Sequence, residues 1–483
     1  MRARFPALLL ASLLPSVAAA AGAHYRLRYD AADASMAVTL CDDAAHATLR
    51  LVADDDAPRY VSGLARDGGA PVARGDGGWT ARDWRAGECL RYRADLGRIA
   101  ATQRPDVGWR RGDDLLAAPT LWLLQPQDAD RADAEVTLPP GYALSVPWQP
   151  LPAQGGVQRY RIALTPLDWA AMAAVGRFRE MPVTLPGGTL RVALLDGGTA
   201  AQRQALRAWL ARVSQAVLDA YGRLPIPDVQ VLVVPVSRRR GDDAVAFGQS
   251  TRGQGHALTL LVDPAAPPEA FARDWIAVHE LSHLFHPYLG DEGRWLAEGL
   301  ATYYQEVLRA RAGLISAESA WQRLDAGFAR GRADAHAGMP LAEVSERMMD
   351  LGAFMRVYWA GTAYWLDVDA ALRRHSRGRL SVDVALARFR DCCLPSHRAW
   401  TPQAFVAKLD TLTGTDLFTR DYARFAGATA FPDLAPTYAA LGLRTRTDGA
   451  LRFGGDATAE ALRTAIMAAP GSGNAASAAA RQP

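Results

Sequence analysis

Two histidines four residues apart, with a glutamate beside the first, occur in the run Val278-His279-Glu280-Leu281-Ser282-His283-Leu284-Phe285. On an α-helix, side chains at i and i+4 lie on one face a turn apart, so both imidazoles can reach one ion. Glu280 then projects beside that ion, where its carboxylate can take a proton from a water molecule. The context favours a helix, because Ala270 to Phe285 contains neither Pro nor Gly and Pro287 follows. Trp275, Ile276, Val278, Leu281, Leu284 and Phe285 make most of it apolar. Buried His and Glu need partners, and a shared metal ion is the simplest one.

A hydrolytic metal site has three protein ligands and one position open to water, and a His2Glu set of this kind suits zinc, one Zn2+ per chain. The run Arg294-Trp295-Leu296-Ala297-Glu298-Gly299-Leu300 offers Glu298 as the third ligand, a single carboxylate in an apolar helical stretch. The plainer reading of Glu298 is an acidic residue favoured near a helix N-terminus. His286, Asp291 and Glu292 are rival ligands; the first lies close to the end of its helix, and the other two lie in a Gly-flanked turn. Tyr358 sits among Trp359, Tyr364 and Trp365 on an apolar helix, where an aromatic residue is either core or catalyst.

The elements that must hold these groups change style along the chain. Residues 24–186 read as short alternating strands, such as Tyr25-Arg26-Leu27-Arg28-Tyr29, divided by Asp, Gly and Pro clusters. An antiparallel β-sandwich is expected there. Leu190 to Leu195 reads as a strand, and Leu206, Trp209, Leu210, Val213, Val217 and Tyr221 then recur at helical spacing. Strand-like runs follow at Val229 to Val236 and Ala257 to Val262. From Phe271 almost to Leu443 the pattern is helical, broken at Pro287 to Gly293, Gly313, Gly338 to Pro340, Pro395 and Pro402. Residues 446–483 read as a tail, Gly/Ser/Ala-rich and disordered from about 470.

The two metal-helix runs together resemble the gluzincins, the HExxH…E metallopeptidases that include aminopeptidase N. Tyr358-Trp359-Ala360-Gly361 looks like the Tyr-x-x-Gly helix of that clan, and the resemblance implies that Tyr358 stabilises an oxyanion. Leu380-Ser381-Val382-Asp383, Thr413-Gly414-Thr415-Asp416 and Phe425-Ala426-Gly427, with Leu138-Pro139-Pro140-Gly141-Tyr142 in the β-rich region, narrow it to a likeness with the glycyl aminopeptidases. The strand–helix–strand–strand unit before the metal helix resembles the catalytic half of thermolysin-like peptidases.

The expected fold class is therefore α+β and multidomain. It comprises an N-terminal antiparallel β-sandwich (24–186), a thermolysin-like zinc catalytic subdomain (188–312) and an α-helical C-terminal subdomain (313–445). The implied activity is hydrolysis of peptide bonds in a peptide or protein substrate. His279, His283 and Glu298 are the implied ligands, with Glu280 and Tyr358 catalytic.

Three departures from the family accompany the likeness. The linker between His283 and Glu298 holds fourteen residues, 284–297, which demands a tight turn. The PDZ-like C-terminal module usual among glycyl aminopeptidases is not expected after Leu443. The aminopeptidase strand that grips a free α-amine with a Glu corresponds to Phe247-Gly248-Gln249-Ser250 and Gly253-Gln254-Gly255-His256, which hold no acidic residue. A peptide could still bind there by strand addition. Competing readings are a non-catalytic peptide- or glycan-binding protein that retains a zinc site, and another zinc hydrolase on the same scaffold. Glu280 speaks against the first, since a structural zinc has no use for a base.

The N-terminus has the three-part layout of a secretory signal peptide. Arg2 and Arg4 are basic, Ala7 to Leu14 is apolar, and a small-residue stretch ends at Ala20. Cleavage over 1–20 and an exported, periplasmic or extracellular protein are expected. A net charge of +3 on 483 residues makes no electrostatic case for nucleic acid or an anionic membrane as partner. Of four cysteines, Cys41 and Cys89 flank strand-like runs and suit a disulfide within one β region, whereas adjacent Cys392 and Cys393 either form a vicinal bridge or stay free.

Overall fold

The computed structural model describes residues 22–237, 243–334, 336–446 and 450–468. The expected leader (1–20) and the disordered stretch from about 470 lie outside the described residues.

The N-terminal strands alternate buried and exposed residues, as in Ala23–Asp30, where Tyr25, Leu27 and Tyr29 point into the core. Seven of them form one sheet: β1 (Ala23–Asp30), β2 (Ser35–Asp42), β3 (Val61–Arg66), β4 (Glu88–Asp95), β5 (Arg131–Thr137), β6 (Gln149–Gln154) and β7 (Val157–Ala163), in the order β6-β7-β5-β1-β2-β4-β3. Its pairs are antiparallel except β1 with β5, which run parallel. The expectation of a purely antiparallel sandwich is corrected at that pair: a long excursion through 31–130 brings the chain back beside its first strand in the same direction. Two four-stranded sheets complete the region, and its core holds Trp84, Trp122, Trp148 and Tyr25. Cys41 lies opposite Cys89 across β2 and β4, and the two form a disulfide.

A second, five-stranded sheet consists of β8 (Glu180–Leu185), β9 (Gly188–Leu194), β10 (Asp228–Pro235), β11 (Val245–Thr251) and β12 (Ala257–Val262), in the order β8-β9-β10-β12-β11. β9, β10 and β12 are parallel, and their near-continuous runs of Val and Leu fit strands covered on both faces. β11 closes one edge, antiparallel to β12. Helix α1 (Ala200–Tyr221) crosses from β9 to β10; Thr199 and Gln202 form a capping box at its start. Trp109, Leu116, Ala174 and Phe178 of the N-terminal region pack against Ala193, Leu195, Leu232 and Val234 of this sheet.

The remaining chain is mainly helical: α2 (Ile276–Ser282), α3 (Arg294–Arg311), α4 (Ala317–Ala333), α5 (Phe354–Ser376), α6 (Val382–Cys393), α7 (Pro402–Thr413), α8 (Leu417–Ala426) and α9 (Ala457–Met467), with shorter turns between. α3 and α5 approach so closely at Gly299 and Gly361 that a Cβ at Gly361 would lie 1.8 Å from the Trp295 carbonyl oxygen. Cys392 and Cys393 form a vicinal disulfide at the end of α6. The stretch read as tail contains a two-stranded hairpin, Leu443–Thr445 with Leu451–Phe453, and then α9. Leu462, Ile466 and Met467 of α9 join the core, so the helical pattern runs past Leu443. No helix among the described residues is long and apolar enough to cross a membrane.

Candidate metal centre and active site

The expected helix from Ala270 to Phe285 is interrupted. Pro268–Arg273 ends at Asp274, whose ψ is 141°, and α2 begins after it. The cause is local: the Asp274 carboxylate accepts from the N–H groups of Ile276 (3.3 Å) and Ala277 (3.0 Å), capping a new first turn. α2 then presents His279, Glu280 and, through the 3-10 turn His283–Phe285, His283. Gly290, at φ +67°, makes the tight turn that the short linker demands. Ser345 fastens it, its hydroxyl donating to Asp291 O (2.8 Å) and accepting from Trp295 N–H (3.0 Å).

The turn delivers Glu298, on the second turn of α3, to the two histidines. Its Oε2 lies 3.2 Å from His279 Nε2 and 3.5 Å from His283 Nε2. One ligand atom from each of the three residues lies within 4.8 Å of the others. Burial alone would raise the Glu298 pKa, but His283 and His279 outweigh it and hold the carboxyl well below its usual range.

Hydrogen bonds on the far side of each ring orient the histidines. Gln305 donates its amide N–H to Glu306 (3.1 Å), so its carbonyl oxygen is the atom 3.0 Å from His279 Nδ1 and accepts from it. Glu306 is held in turn by Arg309 (3.3 Å). On the other side, His286 Nδ1–H donates to the Pro287 carbonyl (2.7 Å), leaving Nε2 to accept from His283 Nδ1–H at 2.9 Å. Both chains place a proton on Nδ1 of the two site histidines, so Nε2, which faces Glu298, is the nitrogen that would give up its proton and serve as a metal ligand. Burial, then Arg252 and His283, push the His286 pKa well below normal, which suits a neutral acceptor.

Glu280 is buried, and burial raises its pKa against the lowering pull of His279 and His283. Tyr358 projects from α5 into the same cavity, its ring stacked on His279 with centroids 6.0 Å apart. Burial, then Glu298 and Glu280, raise its hydroxyl pKa far above normal, so it stays a protonated donor. The cavity, about 420 Å³, is also lined by Phe247 to Ser250 of β11, Arg252, Tyr288, Asp291 and Arg294. β11 is the outer strand of its sheet and runs past Glu280: a Cβ on Gly248 would lie 2.7 Å from Glu280 Cγ. Arg252 donates to the carbonyl oxygens of His283 (2.6 Å) and His286 (3.3 Å) where α2 ends, and burial lowers its pKa to about 10.

Glu280, His283, Glu298 and Tyr358 thus line one cavity, and His279 joins them through its contacts with Glu298 and Tyr358. Of the rival ligands, His286 contacts His283 instead, Asp291 pairs with Arg294, and Glu292 accepts from Gln403 (2.9 Å). Gln305 and Arg252 were not singled out from sequence. Gln305 lies two turns beyond Glu298 on α3, a spacing that marks it once α3 is known to face α2; Arg252 carries no comparable signal.

A family model described as M61 glycyl aminopeptidase matches residues 282–364, the stretch holding His283, Glu298 and Tyr358. Comparison with the curated proteins finds no match. Among solved structures, an aminopeptidase N family protein from Idiomarina loihiensis is similar over 87% of this chain and 78% of its own, with TM-score 0.66 and 14% identity. An M1 zinc metallopeptidase from Deinococcus radiodurans is similar over 86% of this chain and 94% of its own, with TM-score 0.53 and 14% identity. A mutant of it bound to a Tyr-Ser-Ala substrate gives TM-score 0.53 at 15% identity, with the same coverage of 86% and 94%. The chain thus carries a stretch, residues 282–364, that matches the glycyl aminopeptidase model, within a fold similar over most of its length to those of an aminopeptidase N family protein and an M1 zinc metallopeptidase.

Proposed function

We propose that the protein is an exported zinc-dependent peptidase in which His279, His283 and Glu298 hold the metal. The observation that carries this is the convergence of their ligand atoms within 4.8 Å beside the buried Glu280. The donor set fits the ion: two imidazole Nε2 atoms freed by acceptors at Nδ1, and one carboxylate, leave room for water and substrate. Zinc bound there supplies Lewis-acid polarisation of the scissile carbonyl and a water of lowered pKa. Glu280 accepts a proton from the attacking water as its oxygen bonds to the carbonyl carbon, and passes it to the nitrogen as the C–N bond breaks. Tyr358 O–H donates to the oxygen that gains negative charge. The open edge of β11 receives the peptide backbone as an added strand. The N-terminal β region flanks this cleft on one side and the helices on the other; contrary to the expected boundaries, Glu180–Leu185 belongs to the five-stranded sheet, and the helices share one core with that sheet. Export is supported by the signal-like N-terminus and by the two disulfides, which persist in oxidising compartments.

We further assign the cleft no anchor for a free α-amine. Its described carboxylates are Glu280, Glu298 and Asp291, of which Asp291 is paired with Arg294, and Arg252 adds a positive charge. Glu306 is occupied by Gln305 and Arg309. N-terminally acetylated peptides are therefore expected to be cleaved about as well as free ones. The test is a peptide library incubated with the pure protein, with chelator and with zinc restored. Cleavage unaffected by the chelator would overturn the metal reading, and cleavage abolished by acetylation would make the enzyme an aminopeptidase.

A further inference from the structure

Among the described residues, six large hydrophobic side chains are markedly exposed: Phe247, Trp275, Met349, Phe354, Met355 and Phe453. Scattered, they would need no explanation. Three of the six are not scattered: Phe247, Met349 and Phe354 all line the cavity that holds Glu280, His283 and Glu298, and Trp275 stands 5.9 Å from the His279 ring. An apolar rim concentrated at one cleft marks a binding surface.

We propose that this rim is a side-chain subsite, and that the substrates are peptide segments with a bulky apolar residue, of the Leu, Met or Phe kind, next to the scissile bond. The proposal rests on the peptidase reading above. Phe354 lies four residues before Tyr358 on α5, on the same helix face one turn away, so it borders the oxyanion donor. Phe247 precedes Gly248, where an added Cβ would lie 2.7 Å from Glu280 Cγ, and a bulge between Val245 and Phe247 disturbs the strand alternation there. Phe247 is 51% exposed on the open edge where the peptide backbone would pair. Met349 is 65% exposed, and an unbranched thioether adapts to side chains of different shape. A Gly or Ala side chain leaves this rim wet, whereas a larger apolar one covers it. The expected preference thus differs from the glycyl substrates for which the matched family is named.

The test compares wild type with Phe247→Ala and Phe354→Ala on quenched peptides that place Gly, Ala, Leu or Phe on either side of the cleaved bond. Wild-type kcat/KM is expected to rise about 10-fold or more from Gly to Leu or Phe on one side. Within each variant the Leu-to-Gly and Phe-to-Gly ratios of kcat/KM should fall to less than about 3-fold, with zinc content unchanged. A flat or inverted series in wild type, or variants that slow every peptide equally, would overturn the subsite. If no peptide were cleaved in a chelator-sensitive way, the peptidase reading itself would fail. The subsite is then judged by peptide affinity for the Glu280→Gln protein: equal binding of the Gly and Phe peptides would dismiss it too.

Discussion

Glu280 and Tyr358 line one cavity, and in the proposed reaction neither holds the metal, so their removal should separate chemistry from metal binding. Glu280→Gln should retain zinc and fold while losing nearly all turnover, because an amide cannot accept the water proton. Tyr358→Phe should lower kcat by about 10- to 1,000-fold with KM little changed, the usual loss for one oxyanion donor. Metal analysis beside steady-state kinetics checks both, and either variant within a few-fold of wild type would remove that residue from the mechanism. The residues behind the histidines predict the converse. Gln305→Leu and His286→Ala leave His279 or His283 without the acceptor that fixes its tautomer. Each should weaken zinc affinity about 10- to 100-fold in a chelator competition, where unchanged affinity would show that the ring needs no such support.

At the scale of elements, the site depends on how α2, α3 and α5 meet. Gly361 of the Tyr-x-x-Gly run does no chemistry; it lets α5 lie against α3 at Trp295 and Gly299. Trp365 Nε1 donates to Leu296 O (2.8 Å) across the same seam. Gly361→Ala would push a methyl group into backbone, which cannot yield by a rotamer change, at a cost of about 3 kcal/mol or more. Because Tyr358 and Glu298 lie beside that contact on the two helices, activity should fall further than stability does. A variant with wild-type melting temperature and turnover would show that the seam can relax. The start of α2 predicts a pH effect. Burial raises the Asp274 pKa to about 6, so its stabilising contribution is complete below about pH 4 and is lost as pH rises through about 6. Asp274→Asn keeps a capping oxygen and removes that loss. Its stability relative to wild type should therefore improve by up to about 3 kcal/mol between pH 4 and pH 7.5, since each tenfold difference in proton affinity between the folded and unfolded chain is worth about 1.4 kcal/mol. Paired denaturant curves at the two pH values check the sign, and parallel curves would refute it.

Over the whole molecule, the β region and the catalytic sheet are joined by buried polar contacts as well as by packing. Arg191 of β9 donates to the carbonyls of Val146 (2.7 Å) and Trp148 (3.0 Å), and Trp148 Nε1 donates to Gln254 (2.8 Å) just beyond β11. Arg191→Met fills similar space but strands two buried acceptors, a loss of about 2–4 kcal/mol. A lower urea midpoint with normal kcat/KM below the transition is expected; an unmoved midpoint would mean that water satisfies those carbonyls.

The sequence by itself determined what is local. HExxH on a helix fixes the relation of His279, Glu280 and His283 through covalent spacing alone, and the short linker already required the turn that Gly290 makes. The three parallel strands of the second sheet and most helices were legible because burial imposes its period on each element separately, whereas β8 read as part of the N-terminal region and joins this sheet only through its pairing with β9. What depends on meetings across space was not. The run 446–468 looked like a tail because a short hairpin and a helix gain their burial only from partners far away in the chain. The parallel pairing of β1 with β5 is likewise a matter of topology, which strand alternation does not encode. His286 looked like a weak candidate ligand, and only the fold shows it accepting from His283. The tertiary structure also decided which of many aromatic and methionine residues stay exposed at the cleft, since an apolar side chain carries no mark of whether its neighbours will cover it.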